Sequence, residues 1–186
     1  MIPLNHYAAS IGAALKLARF DGSAIKVFDT SPTGFWRSFH AAGFVLPFYI
    51  AFSMARWDHI SAPISPLRFI TVEAITYVIA WTVFPVLMAY LVRFIDREEH
   101  YVRGIVAFNW SAVVQNAVYT PIALASLDGG IAGPLAMIVL LAVLVYRWFV
   151  LRNAFAISSV TAWMLVGMDF SLGLMVTHWA NRLIYG

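Results

Sequence analysis

The chain has 186 residues, 62% hydrophobic and 11% charged, with a net charge of +3 and a mean hydropathy of +0.80. Soluble domains carry about 25% charged residues; a soluble fold of this length could not cover so much apolar surface, whereas lipid can. No cysteine is present, which excludes disulfides, thiolate zinc sites and cysteine nucleophiles.

Taken in order, residues 4–20 carry an apolar stripe of Leu4, Tyr7, Ile11, Leu15 and Ala18, spaced three or four apart, with Lys16 and Arg19 off it. The pattern predicts an amphipathic helix. It either lies in the membrane interface, with Lys16 and Arg19 reaching toward lipid headgroups, or packs on the inner face of the protein. The first 20 residues lack the continuous apolar core of a cleavable signal peptide. Residues 1–34 read as a cytoplasmic segment and 35–186 as a transmembrane domain. Thr30-Ser31-Pro32 has the form of a helix start, a hydroxyl cap followed by proline.

Five membrane spans are expected, at about 38–55, 69–91, 104–127, 131–150 and 155–177, each near the roughly 20 residues that a bilayer core requires. In the first, Gly43 and Ala51 share a face with Pro47, where another helix can approach. Pro63 and Pro66 break the loop after it. The stretch Arg93-Phe-Ile-Asp-Arg-Glu-Glu-His-Tyr-Val-Arg103 holds six of the 21 charged residues and must be a wet hairpin. Asp128-Gly129-Gly130 and Arg152-Asn153 read as turns, and Arg147 as a snorkelling side chain. With a cytoplasmic N-terminus and the C-terminus opposite, nine Lys and Arg fall inside and three outside, as the positive-inside rule requires.

Charges within spans cost at least about 2.5–3.5 kcal/mol each. Two are present. Asp169 lies 14 residues into the fifth expected span, and Glu73 lies near the outer end of the second. The third span adds a stripe of Asn109, Ala112, Asn116 and Thr120, with Gln115 beside it, which should face other helices. Asn116, Asp169 and Glu73 are expected to meet in one polar pocket in the outer half, with no cation partner at matching depth. Such a pocket would serve a proton, an ion or a small substrate; alternatively its members only tie helices together. His40 and His178 fall on opposite membrane sides and cannot form a bis-histidine pair. Most tryptophans fall near the expected interfaces. No metal site, cofactor motif, nucleotide-binding loop or hydrolase motif is legible.

Phe28-Asp-Thr-Ser-Pro-Thr-Gly-Phe-Trp-Arg-Ser-Phe39, Tyr119-Thr-Pro-Ile122 and Trp148-Phe-Val-Leu-Arg-Asn-Ala-Phe-Ala156 resemble stretches of Yip1-type five-span membrane proteins, particularly short bacterial members. The resemblance implies a non-enzymatic organiser or accessory subunit of the bacterial inner membrane. Its partners would be the bilayer and other membrane proteins or itself, not nucleic acid. A small transporter or channel using Asp169, Glu73 and Asn116 is the alternative.

Overall fold

A computed structural model describes residues 4–60, 64–127, 129 and 131–186. Among these every regular element is helical, as expected: α1 (Leu4–Ala18), a 3-10 segment (Gly22–Val27), α2 (Pro32–Ser38), α3 (His40–Asp58), α4 (Pro66–Phe94), a 3-10 turn (Glu98–His100), α5 (Tyr101–Ser126), α6 (Ala132–Ala154) and α7 (Ser159–Tyr185). Pro63, Asp128 and Gly130 of the expected turns lie outside the described residues. Gly129 adopts φ +82°, the left-handed conformation that glycine takes without strain.

The expected helix start is present. Ser31 caps α2, its hydroxyl accepting from the Gly34 N–H at 3.0 Å, and Pro32 opens the first turn. Asp29 accepts from the Ser31 N–H at 3.0 Å, and its bonds to Ser31 hold its carboxyl below the usual range.

Four helices are long and apolar enough to cross a membrane: Pro32–Asp58 taken together, Pro66–Phe94, Ala132–Ala154 and Ser159–Tyr185. The expectation of five apolar spans is corrected here. Its third span forms α5, which has the length but is not among the four. The reason is position. α5 packs against α1, α2, α3, α4 and α6, and buries Asn109, Trp110, Ser111 and Gln115. A helix sheathed by other helices meets little lipid, so amides and hydroxyls are tolerated if they find partners. Trp110 is an exception among the tryptophans: it is fully buried in the core.

Two further expectations change. α1 packs on α5 and α6 through Ser10, Ala13, Ala14 and Leu17, while Leu15 of the expected stripe is 49% exposed. Small residues let the helix backbones approach, and the Tyr146 hydroxyl donates to the Ala14 carbonyl at 2.8 Å. The helix packs on the protein, and Lys16 and Arg19 are exposed away from it. On α3, Pro47, Gly43 and Ala51 face outward, and a methyl group on Gly43 would meet nothing. Among the described residues no helix packs on Gly43.

Side chains tie the two ends of the bundle. At one end Arg103 Nε donates to the Ala154 carbonyl at 2.7 Å and Arg97 Nε to the Ala156 carbonyl at 3.2 Å. The charged hairpin is thereby fastened to the α6–α7 turn. At the other end Arg68 Nε donates to the Leu183 carbonyl at 2.5 Å. The start of α4 and the end of α7 therefore share that level.

Gly104 tests the packing of α5. A methyl group there would meet the Phe155 ring at 2.1–2.5 Å, and that ring is fully buried. Gly104→Ala is expected to lower stability by about 1–3 kcal/mol. Gly43→Ala and Gly133→Ala, which point into open space, should leave the thermal unfolding midpoint in detergent unchanged or slightly raised.

Candidate functional site

Every described charge inside the bundle has a partner, which overturns the expectation that Asp169 and Glu73 lack cations. Arg147 is not a snorkelling residue. It turns into the bundle, where its Nη1 pairs with Asp169 Oδ2. Its Nε and Nη2 donate to Gln115 Oε1 at 3.2 and 2.6 Å, and its guanidinium lies 5.3 Å from the centre of the Phe108 ring. The depth follows from helix boundaries. α7 begins at Ser159 rather than at 155, so Asp169 is ten residues in, about 15 Å at 1.5 Å per residue. Arg147 is seven residues from the end of α6, about 10 Å by the same rise. An arginine side chain closes that difference.

Glu73 belongs to a separate cluster, which corrects the expectation of one pocket. Its Oε2 accepts from the Tyr49 hydroxyl at 2.7 Å and the Ser53 hydroxyl at 2.8 Å, and its Oε1 pairs with Arg56 Nη1 at 3.3 Å. Arg56 Nη2 also donates to Asn181 Oδ1 at 2.8 Å. This cluster clamps α3, α4 and α7 at the end where α4 starts. Asn109 stands apart too: it is fully buried and donates to Ser38 Oγ at 2.9 Å, joining α5 to α2.

The two acids thus occupy different surroundings. Glu73 is 6% exposed and its carboxylate is saturated with donors. The Arg147–Asp169 pair instead lines an open-sided cleft of about 370 Å³, with Asn116 on the same wall. Five helices contribute to the cleft: Tyr49 from α3, Tyr77 and Trp81 from α4, Phe108 and Asn116 from α5, Arg147 from α6, and α7 from Asp169 to Thr177. Asn116 gives its amide N–H to the Ala112 carbonyl of its own helix at 2.8 Å.

The shape of the cleft comes from α4. Near Pro85 it packs closely on α5, with Phe84 and Phe108 stacked at 4.1 Å and the Tyr101 hydroxyl donating to the Pro85 carbonyl at 3.0 Å. Toward its start α4 contacts α7 and bonds α3 through tyrosines, with Tyr77 donating to the Ala42 carbonyl at 2.6 Å. The cleft lies beside these contacts, lined by Tyr77, Ala80 and Trp81 of α4 and by Phe108, Ala112 and Asn116 of α5.

Of the residues expected from sequence, Asp169, Gln115 and Asn116 come together; Glu73 and Asn109 do not join them. Arg147, Arg56, Tyr49, Ser53 and Asn181 were missed. A signal for Arg147 existed. In an antiparallel hairpin, residues equidistant from the turn lie level, and Arg147 and Asp169 are nine and thirteen residues either side of Ala156.

His40 is exposed and bonds the Tyr7 hydroxyl at 2.9 Å through Nδ1. No group of three or more metal-ligating side chains occurs among the described residues. Comparison with known proteins found no matching family model, curated protein or solved structure. The likeness to Yip1-type proteins rests on the sequence stretches alone.

The ion pair gives a direct test. Arg147→Gln leaves Asp169 uncompensated and is expected to cost about 3–5 kcal/mol. Arg147→Gln combined with Asp169→Asn should recover most of that loss in thermal unfolding. An additive double variant would show that the two side chains do not interact.

Proposed function

We propose that the protein is a five-span, multi-pass protein of the bacterial inner membrane, with a cytoplasmic N-terminus. It performs no covalent chemistry; it binds a small molecule in the central cleft and hands it on, as a small carrier. One observation carries this reading: of the two internal ion pairs among the described residues, Arg147–Asp169 is the one that lines this cleft. Arg56–Glu73 is exposed to a like degree, but its carboxylate takes three donors and neither of its members lines that cleft. A membrane organiser of the kind implied by the Yip1 resemblance needs only a packed bundle and gives no reason for a charged cavity wall.

The five crossings rest on α5 being sheathed by protein while running 26 residues, about 39 Å at 1.5 Å per residue. The charged hairpin and the α6–α7 turn are hydrogen-bonded together, in keeping with one positive, cytoplasmic side.

Two measurements test the proposal. The chain lacks cysteine, so single cysteines report sidedness cleanly. Ser23→Cys and Glu98→Cys should label only from the cytoplasmic side of sealed vesicles, and Asp58→Cys and Tyr185→Cys only from the other. Labelling of Glu98→Cys and Asp58→Cys from one side would refute the threading. For the cleft, native mass spectrometry of gently released protein should show a co-purifying small molecule. Ala112→Phe, which fills the cleft, should lose it while keeping the unfolding midpoint. Wild-type protein free of any adduct would refute the carrier reading.

A further inference from the structure

Resting on the cleft reading above, the geometry points to a ligand class: an amphiphile with no net charge, a single hydrogen-bonding head and an apolar body. Three observations lead there. First, the charges at the cleft cancel. Arg147 is neutralised by Asp169, and the neighbouring Arg56 by Glu73. The remaining polar groups of the lining, among them Tyr49, Tyr77 and Asn116, carry no charge. A charged guest would leave water for a low-dielectric site without a counter-charge, which is strongly disfavoured.

Second, the pair retains unused bonding capacity on its cleft side. A guanidinium has five N–H donors, and among the described residues three bonds are made, two to Gln115 and one to Asp169. The pair is not sealed off: the Arg147 side chain is 22% exposed and that of Asp169 11%. A hydroxyl or carbonyl head can accept from the guanidinium, and a hydroxyl can also donate to the carboxylate. The pair need not break for either bond to form.

Third, the rest of the cleft is built for a body rather than a head. Trp81, Phe108 and Phe170 stand beside the pair, and beyond Phe170 the α7 wall continues with Leu172, Gly173 and Leu174. From Asp169 to Thr177 this wall runs eight residues, about 12 Å of helix at 1.5 Å per residue. Apart from the Asn116 amide and the hydroxyls of Tyr49, Thr76, Tyr77 and Thr177 the lining away from the pair is apolar, so a guest bonded to the pair lays its apolar part along this wall.

The test uses three probes that share one decyl tail, bearing a photoreactive diazirine, and differ only in the head: an alcohol, a sulfate and a trimethylammonium. The full chain is held in nanodiscs of phosphatidylcholine, and labelled peptides of α4 and α7 are quantified. The alcohol is expected to label the cleft saturably, and unlabelled decanol to compete. Each charged probe should need at least about ten-fold more, equivalent to 1.4 kcal/mol. Asp169→Asn, which leaves Arg147 positive, should shift preference to the sulfate, and Arg147→Gln should shift it to the ammonium. If either single variant fails to fold, Arg147→Gln with Asp169→Asn should keep the preference for a neutral head at lower affinity. Equal labelling by all three heads, or a preference for a charged one in the wild type, overturns the ligand class and leaves the cleft reading standing. Absence of saturable labelling by any probe overturns both.

Discussion

Inside a bilayer a polar group must find its partner within the protein, because water is not there to supply one. Several features of this bundle answer that constraint at α5, while Asn109 Oδ1, Trp110 Nε1 and Ser111 Oγ are buried without a hydrogen-bond partner among the described residues. Its amides would be costly against lipid, so the remaining helices surround it. Asn109 is taken up by Ser38 of α2, and Gln115 by Arg147 of α6. α1, too short to cross the membrane, covers α5 and α6 with alanines and a leucine that allow close approach. The central helix thus carries buried amides and hydroxyls while being the most buried of the described helices.

The same constraint is met in two ways at the two acids. Around Glu73 the donors crowd in, and the result is a clamp joining three helices. Around Asp169 a single arginine and a glutamine suffice for neutrality, and space remains beside them. Near Pro85, α4 is held to α5 by the Phe84–Phe108 stack and by the Tyr101 hydroxyl. The cleft lies beside these contacts, and the ion pair supplies its charged groups.

Much of the fold was legible because hydropathy and charge act locally. The wet hairpin at 93–103, the Ser31 cap and four of the expected spans needed only runs of residues and turn chemistry. The polar stripe of α5 also pointed correctly inward. What misled was judging each residue by its own segment. Arg147 lies near a turn in sequence and so resembled a headgroup anchor, and Leu15 fell on a regular stripe that the protein does not bury. The stripe that is buried, Ser10, Ala13, Ala14 and Leu17, is small and partly polar. Small residues are chosen for close approach, and hydrophobicity does not report that.

By itself, the sequence determined that the chain is all-helical, suited to lipid, free of cysteine chemistry, and marked by two acids that had to be accounted for. Only the tertiary structure decided which cation meets which acid, that Glu73 and Asp169 lie in separate clusters, and that one of them borders a cavity. The physical reason is range. Hydrophobic periodicity and capping act over a few residues along the chain. An ion pair between α6 and α7, or between α3 and α4, depends on where each helix begins, how it bends and which face it turns, and those are settled by packing among all of them.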